Sequence, residues 1–146
     1  MKKILVLNGP NINLIGIREK EIYGSKGYEQ IVNEIIEYGS ECGFDTEVKQ
    51  SNHEGDLVDW IQQAYFNQVT GIIINAGGYT HTSIAIMDAI KSIAPIPVIE
   101  VHFSDINTRE DFRKHSYISL VSAKTICGYG EKGYLMAIGE IANIVK

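Results

Sequence analysis

The sequence predicts an α/β protein in which an open parallel sheet is covered by helices on both faces. Two observations carry this. Apolar runs of strand length alternate, five times along the chain, with segments whose apolar residues recur at helical spacing. One of those runs, "TGIIIN", is apolar and β-branched throughout, as expected for a strand buried on both sides. No linker, internal repeat or low-complexity segment interrupts the pattern.

The elements follow in order. Ile4 to Leu7 reads as the first strand. A helix begins around Gly27 or Tyr28, with Tyr28, Ile31, Ile35, Tyr38 and Cys42 on one face, and Gly43 is a natural stop. Phe44, Thr46 and Val48 alternate with charges and mark the second strand. Leu57, Val58, Ile61, Ala64 and Tyr65 mark the second helix, with Asp56 placing negative charge near its start. "TGIIIN" is the third strand. Ser83 to Ile93 is the third helix, capped by Thr82 or Ser83. Pro95 and Pro97 precede "VIEVHF", the fourth strand, and "YISLVSAKTIC" contains a fifth. Gly133 to Val145 closes the chain as a helix. Five strands in this alternation predict a flavodoxin-like three-layer sandwich with sheet order 2-1-3-4-5.

Composition narrows the function. A length of 146 residues suits one domain with a full core, and 45% hydrophobic with 21% charged residues is an ordinary globular balance. A net charge of -5 with no basic block argues against nucleic acid as a partner. No apolar stretch approaches the roughly 18 residues of a membrane span. The run after Lys2 and Lys3 is too short for an export signal. Cys42 and Cys127 are far apart and read as two reduced thiols of a cytoplasmic protein.

In this topology ligands sit beyond the carboxyl ends of the strands, near the switch point between strands one and three. Three loops should meet there: the long one after strand one, "NAGGYTHTS" after strand three and "HFSDINTRE" after strand four. They concentrate histidine, asparagine, arginine and hydroxyl groups. "GYGEKG", Gly128 to Gly133, matches G-x-G-x-x-G, but the following strand and acidic residue of a dinucleotide site are missing, so a glycine-rich turn is the simpler reading. "NGPN" does not lead directly into a helix, as a phosphate cradle would. His53, His81, His102 and His115 show no metal-ligand spacing.

Glu100 and His102 lie two apart on a strand and share a face. The carboxylate can fix the imidazole tautomer and raise its basicity, or the pair can be a structural hydrogen bond. Tyr23 sits in the long loop five residues after Arg18, and Arg109 and Arg113 follow strand four. A tyrosine in a loop is often only packing. Beside two guanidiniums, however, its pKa falls, and a phenolate near neutral pH is a competent general base. A proton acceptor, Tyr23, would then face a proton donor, His102.

These residues belong to blocks that resemble type II 3-dehydroquinate dehydratase: "LNGPNINLIGIRE" with "IYG", "SNHEGDLVDWI", "INAGGYTHTSIAIMDA", "IEVHFSD", "REDFRKHSY" and "GYGEKGYLMA". The resemblance covers nearly the whole chain and implies one catalytic domain over residues 1–146. It implies anti elimination of water from 3-dehydroquinate to 3-dehydroshikimate through an enolate, a step of the shikimate pathway to aromatic amino acids. No metal and no organic cofactor is implied. By the same resemblance Tyr23 removes the proton beside the ketone, Arg18 lowers the tyrosine's pKa, and His102 protonates the departing hydroxyl with Glu100 orienting it. Asn11 contacts the reacting region. Asn75 and the backbone amides near Phe103 and Ser104 hold the substrate carboxylate, and His81 and Arg113 hold the ring hydroxyls. Asp88 reaches the site of a neighbouring subunit in a homo-oligomer, a dodecamer built from trimers. The long loop is then a lid that carries Arg18 and Tyr23. The sequence departs from the usual family pattern at Lys20, Met87, Asp105 and Asn107.

Overall fold

A computed structural model describes residues 1–17 and 26–146. Its strands are β1 (Lys2–Asn8), β2 (Phe44–Gln50), β3 (Gly71–Asn75), β4 (Val98–His102) and β5 (Lys124–Cys127). The helices are α1 (Tyr28–Glu41), α2 (Glu54–Phe66), α3 (Ile84–Ser92), the single turn α4 (Asp111–Lys114) and α5 (Lys132–Ile144). The strands form one sheet of order β2-β1-β3-β4-β5, every pair parallel, as the alternation requires.

Period-two alternation along β1 divides the core in two. Ile4 and Val6 pack with Ile31 and Ile35 of α1 and Ala137, Ile138 and Ile141 of α5. Leu5 and Leu7 face the other way, against Leu57 and Ile61 of α2 and Ile86 and Ile90 of α3. Central strands bury both faces, which explains why β3 shows no polar alternation in sequence. Each face at roughly 25 cal/mol per Å² of apolar burial makes the sheet the rigid frame of the molecule.

Local signals behave as their chemistry dictates. Ser83, not Thr82, caps α3: its hydroxyl accepts from the Ile86 amide at 2.9 Å. Asp56 sits in the first turn of α2 and accepts from the Ser51 hydroxyl at 2.6 Å. The fifth strand occupies only the end of "YISLVSAKTIC"; Ile118–Leu120 is a 3-10 turn that ends before it. Another short 3-10 turn, Ile12–Leu14, lies early in the long loop.

Close approach of two strand ends shapes the site. The Gly9 amide donates to the Asn75 carbonyl at 2.8 Å. A Cβ on Gly9 would lie 2.3 Å from the backbone oxygen of Ala76. Gly9→Ala is therefore expected to cost about 2 kcal/mol and to lower the thermal midpoint by several degrees. Gly139→Ala, inside α5 with open space around it, is expected to leave the midpoint unchanged or raise it. Thermal unfolding of the two variants checks both.

Candidate active site

The loops after β1, β3 and β4 enclose a cavity of about 220 Å³ at the carboxyl end of the sheet. Asn11, Asn75, His81 and His102 line it, and Phe103, Ser104 and Arg113 complete the set of expected residues there. Glu100 lies directly beneath, fully buried. Asp88 is exposed on α3 and does not line this cavity. Arg18 and Tyr23 fall outside the described residues. His53 is exposed, and His115 contributes through its backbone carbonyl.

Glu100 and His102 project from the same face of β4, as their spacing predicted. His102 Nε2 donates to Glu100 Oε2 at 2.5 Å. The same oxygen accepts from the Ser116 hydroxyl at 2.6 Å. The other carboxylate oxygen accepts from Thr125 at 2.8 Å and from Ser119. A carboxylate offers about four acceptor positions, and all are taken. Burial alone would push this carboxyl up. The His102 hydrogen bond and charge, with the Ser116 and Ser119 hydroxyls, overcome it and hold the group at about 2. Glu100 is thus an ionised anchor, not a proton acceptor, and it commits Nε2 of His102 as donor. Nδ1 is the nitrogen left to exchange a proton.

His81 is oriented by the opposite nitrogen. Its Nδ1 lies 2.7 Å from the His115 carbonyl, which can only accept, so Nδ1 carries the proton. Burial pushes the His81 pKa down, with the His102 and Arg113 charges acting in the same sense against the His115 carbonyl. A neutral His81 keeps Nε2 as an acceptor for a hydroxyl.

The loop after β1 is braced by the end of β2 and the residue Asn52 just beyond it. Asn11 adopts φ 70°, a left-handed conformation that asparagine tolerates. Its amide donates to Asn52 Oδ1 at 3.1 Å. Gln50 Nε2 donates to that oxygen and to the Gly9 carbonyl, at 3.1 Å and 3.0 Å. The Tyr79 hydroxyl donates to the Asn52 carbonyl at 2.8 Å. On the far wall, Arg109 Nη1 donates to Ser104 Oγ at 3.1 Å and Arg113 Nε to Glu110 Oε2 at 3.3 Å. Two guanidiniums beside one cavity suit an anionic ligand.

Sequence reasoning missed Ser116, Ser119 and Thr125 as the cradle of Glu100. The two serines stand on either side of Tyr117 and Ile118, in a segment with strand-like composition. Thr125 is paired with Glu100 in the β4–β5 register, which only the sheet reveals. Among the described residues no group of three histidine, cysteine, aspartate or glutamate side chains is placed to hold a metal ion.

The depressed Glu100 pKa fixes the sign of an acid effect. In the folded state it lies near 2, below the unfolded value near 4.5. The unfolded chain therefore binds more protons between these values, and stability falls as pH drops through that window. Denaturation curves from pH 5 to pH 2 are expected to show this loss in the wild type. In Glu100→Gln the slope is expected to be shallower, from a lower starting stability, because the amide cannot match four donors.

Known proteins match this chain over nearly its whole length. The model of the family described as dehydroquinase class II matches residues 2–142. The 3-dehydroquinate dehydratase of Caldicellulosiruptor bescii is 52% identical over 145 residues, 99% of each chain. The crystal structure of type II dehydroquinase from Butyrivibrio crossotus superposes with a TM-score of 0.94 at 53% identity, covering 96% of this chain and 97% of that one. The type II dehydroquinase from Propionibacterium acnes gives 0.93 at 43% identity, covering 98% and 97%. Since the match runs from the first strand into the last helix and leaves no element of the sheet outside it, the chain belongs to the class II dehydroquinase family.

Proposed function

We propose that this protein is a 3-dehydroquinate dehydratase, a hydro-lyase that removes water from 3-dehydroquinate to give 3-dehydroshikimate in the shikimate pathway. The observation that carries the reading is the family match over residues 2–142, and the buried Glu100–His102 pair at the floor of the cavity supplies a proton-transfer group of the required kind.

The reaction runs as an anti elimination through an enolate. Tyr23 takes the proton beside the ketone, and Arg18 favours its phenolate. His102 gives a proton from Nδ1 to the departing hydroxyl. The neutral ring that remains keeps its Nε2 proton, hydrogen-bonded to the Glu100 carboxylate, so the same tautomer forms in every turnover. Asn11 acts at the reacting region from its braced turn. Asn75 and the amides near Phe103 and Ser104 take the carboxylate, while His81 and Arg113 take the ring hydroxyls. No cofactor or metal is required, since the leaving group is protonated by His102 and the enolate is stabilised by preorganised dipoles.

The assembly and location follow from the same reading. Asp88 is exposed and does not line its own cavity, which suits a contact across subunits. The working form is then a dodecamer built from trimers in the cytoplasm. Among the described residues no helix is long and apolar enough to cross a membrane.

Steady-state kinetics with 3-dehydroquinate test the assignments. Tyr23→Phe and His102→Ala are each expected to lower kcat by about 10³-fold with KM changed far less; kcat retained in either variant removes that residue from its role. Arg18→Ala is expected to lower kcat more than it raises KM, and to shift the limb of the pH–rate profile that reports the base upward. An unshifted limb would assign the activation of Tyr23 to another group.

A further inference from the structure

The glycine-rich stretch Gly128–Gly133 is left unexplained by the elimination chemistry. In the structure it delivers α5 onto the sheet. A Cβ on Gly133 would lie 3.0 Å from Val101 Cγ1, so the bare backbone lets the helix start close against β4. The next residue, Tyr134, is completely buried, its ring edge-on to Phe103 with centroids 5.6 Å apart.

The Tyr134 hydroxyl lies between two carboxamides that end neighbouring strands. It donates to Asn8 Oδ1 at 2.5 Å and accepts from Asn75 Nδ2 at 3.4 Å. Asn8 and Asn75 are register partners on β1 and β3. Asn8 Nδ2 in turn donates to the Tyr28 hydroxyl at 3.2 Å, and Asn75 Oδ1 accepts from the Gly77 amide at 3.3 Å.

These bonds have a direction. A phenol holds one proton, and Tyr134 commits it to Asn8. Towards Asn75 it can only accept, so Asn75 turns Nδ2 to Tyr134 and Oδ1 to Gly77. Reversing the carboxamide would set oxygen against a lone pair and N–H against N–H, two conflicts away from water. Burial pushes the Tyr134 phenol up, which keeps its proton in place. A carboxamide nitrogen carries two hydrogens. One is used on Tyr134, and the other is available to the cavity that Asn75 lines.

We propose that Tyr134 is a positioning residue: its buried hydroxyl, oriented by Asn8, fixes the Asn75 carboxamide so that an N–H faces the carboxylate of the bound substrate. The identity of that ligand rests on the dehydratase reading; the orientation of the carboxamide does not.

A double-mutant cycle on the assembled protein tests this. Tyr134→Phe is expected to raise KM for 3-dehydroquinate about tenfold with kcat within about twofold. Asn75→Ala is expected to raise KM at least as much, and adding Tyr134→Phe to it should change KM no further. Effects that multiply, or an unchanged KM in Tyr134→Phe, would overturn the proposal. A neutron structure of the wild type reads the same claim without a variant or turnover. Deuterium of Tyr134 directed at Asn8 supports it, and deuterium directed at Asn75 overturns it, including where the phenylalanine variant does not fold. A wild type that fails to turn over 3-dehydroquinate would overturn the ligand assignment together with the dehydratase reading, while the deuterium position still decides the orientation.

Discussion

The buried Glu100–His102 pair is the interaction on which the rest of the site depends. An ionised carboxylate taken out of water costs several kcal/mol unless its lone pairs are met. Here they are met by His102 on the same strand, Thr125 on the neighbouring strand, and Ser116 and Ser119 at the turn between them. The pair therefore exists only when β4, β5 and that turn are assembled together. A network completed on every side also defines a single geometry, because loss of any donor leaves a buried charge uncompensated. The His102 ring inherits that rigidity, with Nε2 committed to Glu100.

The second constraint is the switch point of the sheet. β1 and β3 end side by side, and Gly9 lets their loops touch. The polar groups exposed there are not left to water. Asn8, Tyr134 and Asn75 satisfy one another beneath the cavity, while Asn52 and Gln50 brace Asn11 above it. The first set links the ends of β1 and β3 through Tyr134 of α5, and the second links the loop after β1 to the end of β2 and the residue Asn52 beyond it, so the packing that stabilises the fold also aims the side chains. Binding groups set on strand ends need little reorganisation when a ligand arrives.

The fold was legible because its signals are periodic. The isoleucine run of β3 and the Ile31, Ile35 spacing of α1 report burial directly, and Ser83 announces the start of α3. The pairing of Glu100 with His102 was legible for the same reason, since residues two apart on a strand share a face. What was not legible depends on contacts distant in sequence. Nothing near Glu100 indicates that Thr125 lies opposite it, and Tyr134 meets Asn8 across 126 positions. The glycine pattern at Gly128–Gly133 reads in sequence as a turn, and its packing role against Val101 appears only once α5 is docked. Loop spacing and charge chemistry, and then the resemblance, rather than periodicity, pointed to Tyr23 and Arg18, which lie outside the described residues.

The proposed account is a proton-transfer site in which Glu100 and His102 serve elimination of water from a cyclic hydroxy ketone. The most direct measurement uses the wild-type protein, 3-dehydroquinate and a chelator, with no added cofactor, and follows the ultraviolet absorbance of the conjugated enone product. The account predicts catalytic turnover that survives borohydride treatment in the presence of substrate. Absence of turnover by a folded protein, or inactivation by borohydride through a trapped Schiff base, would contradict it.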